Sequence, residues 1–194
     1  KHLQYVIQTE KRGFGHAVYQ TRDFAGNEPV LLMLGDTIYR SATNKTCALQ
    51  LIEKYELHNK LTLSIHSIPL GDVSRYGILS GVWEDKNHTI MNVSQMAEKP
   101  TVGYAEEYLG VPTPDGSKEY YSVFGQYILT PEVYDQLAAD ILEAYENHDD
   151  MREIELTTAL EAVRKQYGMV GVKIDGEMFD MGNPEALRNV YRNF

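Results

Sequence analysis

The chain has 194 residues with 18 basic and 28 acidic side chains, a formal charge of −10, which argues against a surface built around a nucleic-acid backbone or an anionic membrane. Hydrophobic residues at 43% and charged residues at 24% describe a globular chain, expected to form one domain over residues 1–194, and exclude a disordered acidic one. A single cysteine, Cys47, rules out an internal disulfide or a multi-cysteine metal site, and no apolar run is long enough to cross a bilayer. The expected setting is cytoplasmic.

The chain begins without methionine and enters an extended pattern almost at once: Leu3 to Gln8 reads as a short strand. Gly13 and Gly15 then open a helix that runs to Phe24, closed by Gly26 and Pro29. Val30 to Leu34 is continuously apolar, as in a strand covered on both faces, and Gly35-Asp36 places Asp36 at the carboxyl end of a central strand. Residues 43–58 carry Leu49, Ile52 and Leu57 along one helical side, and 61–68 form the next strand. Strand, helix, strand, helix, strand is the order of a three-layer α/β domain with a mostly parallel sheet.

Tyr76 to Trp83 and Thr89 to Met96 read as a hairpin joined through residues 84–87. Residues 109–118, with two prolines and two glycines, form an exposed excursion before a strand at Tyr120 to Leu129. Thr130-Pro131 is a helix opening in which the hydroxyl caps free amides. Asp150 with Glu153 offers a capping box for a helix with Leu156, Leu160, Val163 and Tyr167 on one face. Met169 to Ile174 is a last strand, and Asn183-Pro184 starts a final helix.

Four places carry candidate chemistry, each at a strand end or helix start, where open α/β sheets bind ligands. Gln8 with Gly13-Phe14-Gly15-His16 reads either as a tight turn or as backbone opened to a ligand. Asp36 and Asp180 read either as turn residues or as carboxylates sharing one Mg²⁺, an ion that prefers oxygen ligands. Glu98-Lys99 is either a solvated pair or a hydroxyl acceptor beside a phosphate-holding cation. His16 reads as packed or hydrogen-bonded, and Cys47 as a buried helix residue.

Taken in order, QTEKRGFGHAVYQT, LLMLGDTIY, SRYGILSG, MAEKP, GQYILTPEVY, REIELTTAL and FDMGNPEAL resemble the sugar-1-phosphate nucleotidyltransferases, most closely the bacterial-type UTP-glucose-1-phosphate uridylyltransferase group, over essentially the whole chain. The resemblance implies a three-layer, Rossmann-like nucleotidyltransferase fold with a mixed, mostly parallel sheet. It also implies formation of UDP-glucose and pyrophosphate from UTP and glucose-1-phosphate with Mg²⁺, in a homo-oligomer. In this family pattern Gln8 and Gly13 meet the nucleotide base, and Asp36 and Asp180 are the metal carboxylates. Gly77 lies against the sugar, Glu98 bonds its hydroxyls and Lys99 holds its phosphate. One departure stands out. The family's opening strand and G-x-G-T-R loop, which grip the triphosphate, do not precede Gln8 here. The chain is therefore expected to be an amino-terminally truncated portion of an enzyme, weak or inactive by itself; the competing expectation is a nucleotide-sugar or sugar-phosphate binding module, or a related transferase using dTTP or another sugar-1-phosphate.

Overall fold

The computed structural model describes residues 3–149, 151–182 and 184–193. In chain order these form helices α1 (Phe14–Tyr19) and α2 (Arg22–Ala25), strands β1 (Val30–Met33) and β2 (Thr37–Ser41), helix α3 (Cys47–His58) and strand β3 (Leu61–Ile68). Strands β4 (Gly77–Trp83) and β5 (Ile90–Glu98), helix α4 (Val102–Tyr104), strand β6 (Val111–Pro112) and strand β7 (Lys118–Leu129) follow. Helices α5 (Pro131–Glu146) and α6 (Leu156–Tyr167), strands β8 (Met169–Lys173) and β9 (Gly176–Asp180), and helix α7 (Pro184–Asn193) complete the order.

The strands do not make the open, mostly parallel Rossmann-like sheet that the alternating pattern predicts. β7 pairs with β3, β3 with β8, β8 with β5, β5 with β4, and β4 with β7 again, so five strands close into a mixed barrel. Among the described residues only the β3–β8 pairing is parallel. The physical reason lies in the connections: the short link between β4 and β5 permits only an antiparallel hairpin, and β7 runs back across both β3 and β4. Register shifts opposite Leu63/Ile65, where β7 carries the extra residues, and opposite Ser80/Gly81, where β5 carries Ser94 as the extra residue, bend these strands. At Gly81 any Cβ would collide with the Asn92 carbonyl, so the bend there requires glycine.

β1 is likewise not central. Among the described residues it pairs only with β7, antiparallel; Val30, Leu31 and Leu32 are partly buried and Met33 is exposed. Leu3 to Gln8 forms no strand, because no ladder partner lies beside it; Leu3, Tyr5 and Ile7 are exposed.

Helices cover the strands on two sides. α3 starts where the Thr46 hydroxyl accepts the Leu49 amide at 3.1 Å and seats Cys47 and Leu51 against Phe124, Ile128 and Val170. Leu49 and Leu57, expected on the packed side, face solvent instead. On the other side α1, α5 and α6 bring Val18, Val133, Leu137, Leu160 and Val163 onto Leu61, Leu63 and Ile65, each such side chain contributing about 1.5–3 kcal/mol when fully buried. α5 begins at Pro131 without a side-chain cap from Thr130; instead the Thr130 carbonyl accepts the Val133 amide at 3.0 Å. α6 starts later than the expected capping box, with Glu155 at its cap position and Tyr167 exposed; Asp150 itself lies outside the described residues, as does Asn183. No helix among the described residues is long and apolar enough to cross a membrane.

Candidate functional site

Asp36 occupies the turn between β1 and β2, and β2 pairs with β9 in a separate two-stranded ribbon with Thr37 opposite Asp180. The Met181 amide donates to the Asp36 carbonyl at 2.8 Å. The backbone therefore sets two residues 144 positions apart side by side. The ribbon is anchored through Tyr39, whose hydroxyl donates to the Gly125 carbonyl at 2.8 Å. Gly125 has a φ of 86°, and a Cβ there would lie 2.6 Å from that hydroxyl. Burial, opposed by the Thr37 hydrogen bond and assisted by the Asp36 charge, pushes the Tyr39 phenol up to about 12, so it remains a neutral donor.

Asp36 shares a cleft of about 290 Å³ with Phe14, Gly77, Glu98, Tyr127 and Thr157. Gly77 begins β4 and Glu98 ends β5 as direct partners in the hairpin. A Cβ on Gly77 would stand 3.1 Å from Glu98 Oε2, so the missing side chain leaves that carboxylate room. The Thr157 hydroxyl donates to the same oxygen at 2.7 Å. Burial, then the charge of Glu98, raises the pKa of Tyr127 well above the ordinary phenol value.

Lys99 lines an adjoining cavity of about 470 Å³ that shares Phe14, Glu98 and Thr157 with the cleft. Its Nζ is 3.7 Å from Glu98 Oε1 and its side chain is 65% exposed, so the cation is available to a ligand. The Lys99 backbone has a φ of 42°, a left-handed conformation that costs a residue with a Cβ about 1–2 kcal/mol. The amide is held in place by a 3.0 Å bond to the Tyr76 carbonyl. Strain of this kind clusters at functional sites.

Gln8 and Gly13 sit together, with Gln8 Nε2 donating to the Gly13 carbonyl at 3.2 Å and meeting His16 Nδ1 at 3.0 Å. Gly13 has a φ of 93°, and a Cβ there would come within 2.5 Å of Glu153 Cγ and 2.9 Å of the Ile154 carbonyl. Packing against residues 153 and 154 thus explains this glycine without a ligand. The contact is secured by Ile154 N–H to the Arg12 carbonyl and Gly15 N–H to the Ile154 carbonyl, both 2.8 Å. Of this segment it is Phe14 that reaches the cleft wall. Buried His16 is hydrogen-bonded to both Gln8 and Gln20, and burial pushes the Cys47 thiol up, so both fit structural roles.

The structure therefore gathers Asp36, Gly77 and Glu98 in one cleft with Lys99 beside it, sets the Asp180 backbone next to Asp36, and leaves Gln8 and Gly13 out of the cleft lining. Sequence reasoning missed Thr157 and Tyr127 as cleft residues; no local motif marks either. Among the described residues no group of three or more His, Cys, Asp or Glu could hold a metal. Mg²⁺, however, is commonly held by one or two carboxylates plus ligand oxygens and water. The Asp36 carboxylate, exposed on the cleft wall with the Thr37 hydroxyl 3.4 Å away, supplies the hard oxygen chemistry that ion needs.

The family model for nucleotidyl transferases matches residues 2–194. A UTP–glucose-1-phosphate uridylyltransferase from Staphylococcus haemolyticus is 32% identical over 178 residues, which cover 92% of this chain and 54% of the relative. A second such enzyme, from Staphylococcus saprophyticus, is 31% identical over the same shares. The chain thus spans about half the length of the curated relatives it matches. A UDP-glucose pyrophosphorylase crystallised with UDP-glucose superimposes with a TM-score of 0.77 at 26% identity, over 98% of this chain and 66% of that one. The fold is shared as well with a UDP-glucose pyrophosphorylase from Acinetobacter baumannii, at a TM-score of 0.75 and 21% identity, over 96% of this chain and 58% of that one.

Proposed function

The chain belongs to the nucleotidyl transferase family, and from that membership we propose that it serves uridylyl transfer, the formation of UDP-glucose and pyrophosphate from UTP and glucose-1-phosphate. The observation that carries the reading is the meeting of Asp36, Gly77 and Glu98 in one cleft with Lys99 at its side. In this reaction an oxygen of the sugar phosphate attacks the α-phosphorus of UTP. The bond between that phosphorus and the bridging oxygen breaks, and pyrophosphate leaves. No proton must be moved by the protein, so its work is to orient the two phosphates and offset their charge.

Each residue takes a part that its surroundings favour. Glu98, an acceptor at the end of β5, receives sugar hydroxyls in the space that Gly77 leaves open. Lys99 sets its exposed ammonium against the sugar phosphate. Gln8 and Gly13 belong on the nucleotide side, where Phe14 offers an apolar wall. Asp36 and Asp180 would hold Mg²⁺, which when bound lowers the charge on the reacting phosphates.

A second reading, a sugar-phosphate or nucleotide-sugar binding module, rests on the same cleft. The test is calorimetric titration with glucose-1-phosphate and UDP-glucose in Mg²⁺, alongside pyrophosphate release from UTP. Binding with release supports the first reading, binding with no release above background favours the second, and absence of binding overturns both.

A further inference from the structure

The first turn of α6 holds two adjacent threonines, whose β-branching slightly lowers helix propensity. Their hydroxyls part company. Thr158 bonds locally to Glu155 Oε2 at 3.0 Å, whereas Thr157 reaches from the helix to the end of β5 and donates to Glu98 Oε2 at 2.7 Å. Thr157 lines the cleft, the Lys99 cavity and a third groove of about 410 Å³ along α6, and Glu98 lines all three as well. The two residues thus form the partition at which the three spaces meet.

A carboxylate at the end of a strand can turn about its terminal torsions, and its two oxygens are equivalent acceptors. Thr157 removes that equivalence. Oε2, the oxygen beside Gly77, is engaged by the hydroxyl and keeps a further lone pair for a ligand in the cleft, while Oε1 lies 3.7 Å from Lys99 Nζ. We infer that Thr157 is a positioning residue, which fixes the Glu98 carboxylate in one orientation and so sets discrimination among sugar hydroxyls. This rests on the reading of Glu98 as the sugar-binding carboxylate.

The experiment is calorimetric titration of the chain with glucose-1-phosphate and galactose-1-phosphate, for wild type, Thr157→Val, Thr157→Ser and Glu98→Gln, with thermal unfolding of each. Valine keeps the shape and removes the donor; it is expected to weaken glucose-1-phosphate binding about tenfold, as for loss of a charge-assisted bond, and to bring the two affinities closer together. Serine restores the donor and is expected to bind within about twofold of wild type. If Thr157→Val keeps the wild-type affinity ratio while Glu98→Gln changes it, the positioning role is wrong and the reading of Glu98 stands. If serine behaves like valine, Thr157 acts through packing and the inference is overturned. Failure of Glu98→Gln to alter binding, or a wild-type ratio near one, removes the reading of Glu98 and the inference with it.

Discussion

The carbonyl of Asp36 accepts the amide of Met181 at 2.8 Å, while Thr37 pairs with Asp180 across the β2–β9 ribbon. Backbone bonding alone therefore carries the second carboxylate-bearing residue to the first, whatever lies between them in the chain. Asp36 is exposed and supports no core, so Asp36→Asn is expected to change stability by less than about 0.5 kcal/mol. It is expected to weaken Mg²⁺-dependent binding of UDP-glucose about tenfold or more. Asp180→Asn should weaken the same Mg²⁺-dependent binding. Calorimetry with and without Mg²⁺, beside thermal unfolding, measures both effects.

Lys99 combines an exposed cation with a strained backbone, and two substitutions separate them. Lys99→Ala keeps the left-handed strain and loses the charge; glucose-1-phosphate affinity is expected to fall about tenfold with little change in Tm. Lys99→Gly loses the charge and the strain together, and is expected to bind as weakly as the alanine variant while gaining up to about 1 kcal/mol in stability. A glycine variant no more stable than the alanine variant would contradict the strain argument.

At Gly13 the backbone sign and the neighbours agree. With φ at 93° and the Ile154 carbonyl 2.9 Å from any added Cβ, Gly13→Ala is expected to destabilise the chain by about 2 kcal/mol or more. Chemical denaturation reads this directly. A near-neutral result would mean that the segment from Arg12 to Gly15 is not clamped on Ile154.

Alkaline pH tests the ribbon anchor. Tyr39 has its pKa raised to about 12 by burial, so between about pH 10 and 12 the folded chain holds a proton that the unfolded chain releases. Stability from this group is complete below the ordinary phenol value and is lost as pH rises toward 12. Tyr121 and Tyr127, also raised chiefly by burial, add to the same fall. Tyr39→Phe is expected to be less stable at neutral pH, for want of the bond to Gly125, yet to lose less stability than wild type between pH 10 and 12. Urea denaturation at a series of pH values checks the slope.

Much of the element list was legible because it follows local pattern. The alternation at 61–68, the hairpin around residues 84–87 and the Pro131 helix opening all appear where periodicity and turn residues put them. Strand direction was not legible. A run such as Tyr120 to Leu129 has the same apolar signature whether its neighbours run with it or against it, and closure of the barrel depends on register shifts such as that beside Gly81. The β2–β9 ribbon was missed for another reason: Thr37–Ser41 and Gly176–Asp180 are short, mixed in polarity and far apart in the chain. At the site, Asp36, Glu98 and Lys99 stood out because each lies beside a predicted strand end, and Gly77 through the family resemblance. Thr157 did not, since its significance is a bond to a residue 59 positions away.

The central claim is that the cleft formed by Asp36, Gly77 and Glu98, with Lys99 beside it, holds a sugar nucleotide. A crystal structure of the chain grown with UDP-glucose and Mg²⁺ tests it most directly. The glucose hydroxyls are expected on Glu98 against Gly77, the sugar-linked phosphate within reach of Lys99 Nζ, and the ion at Asp36. UDP-glucose bound elsewhere on the surface, or a cleft left empty at saturating ligand, would contradict it.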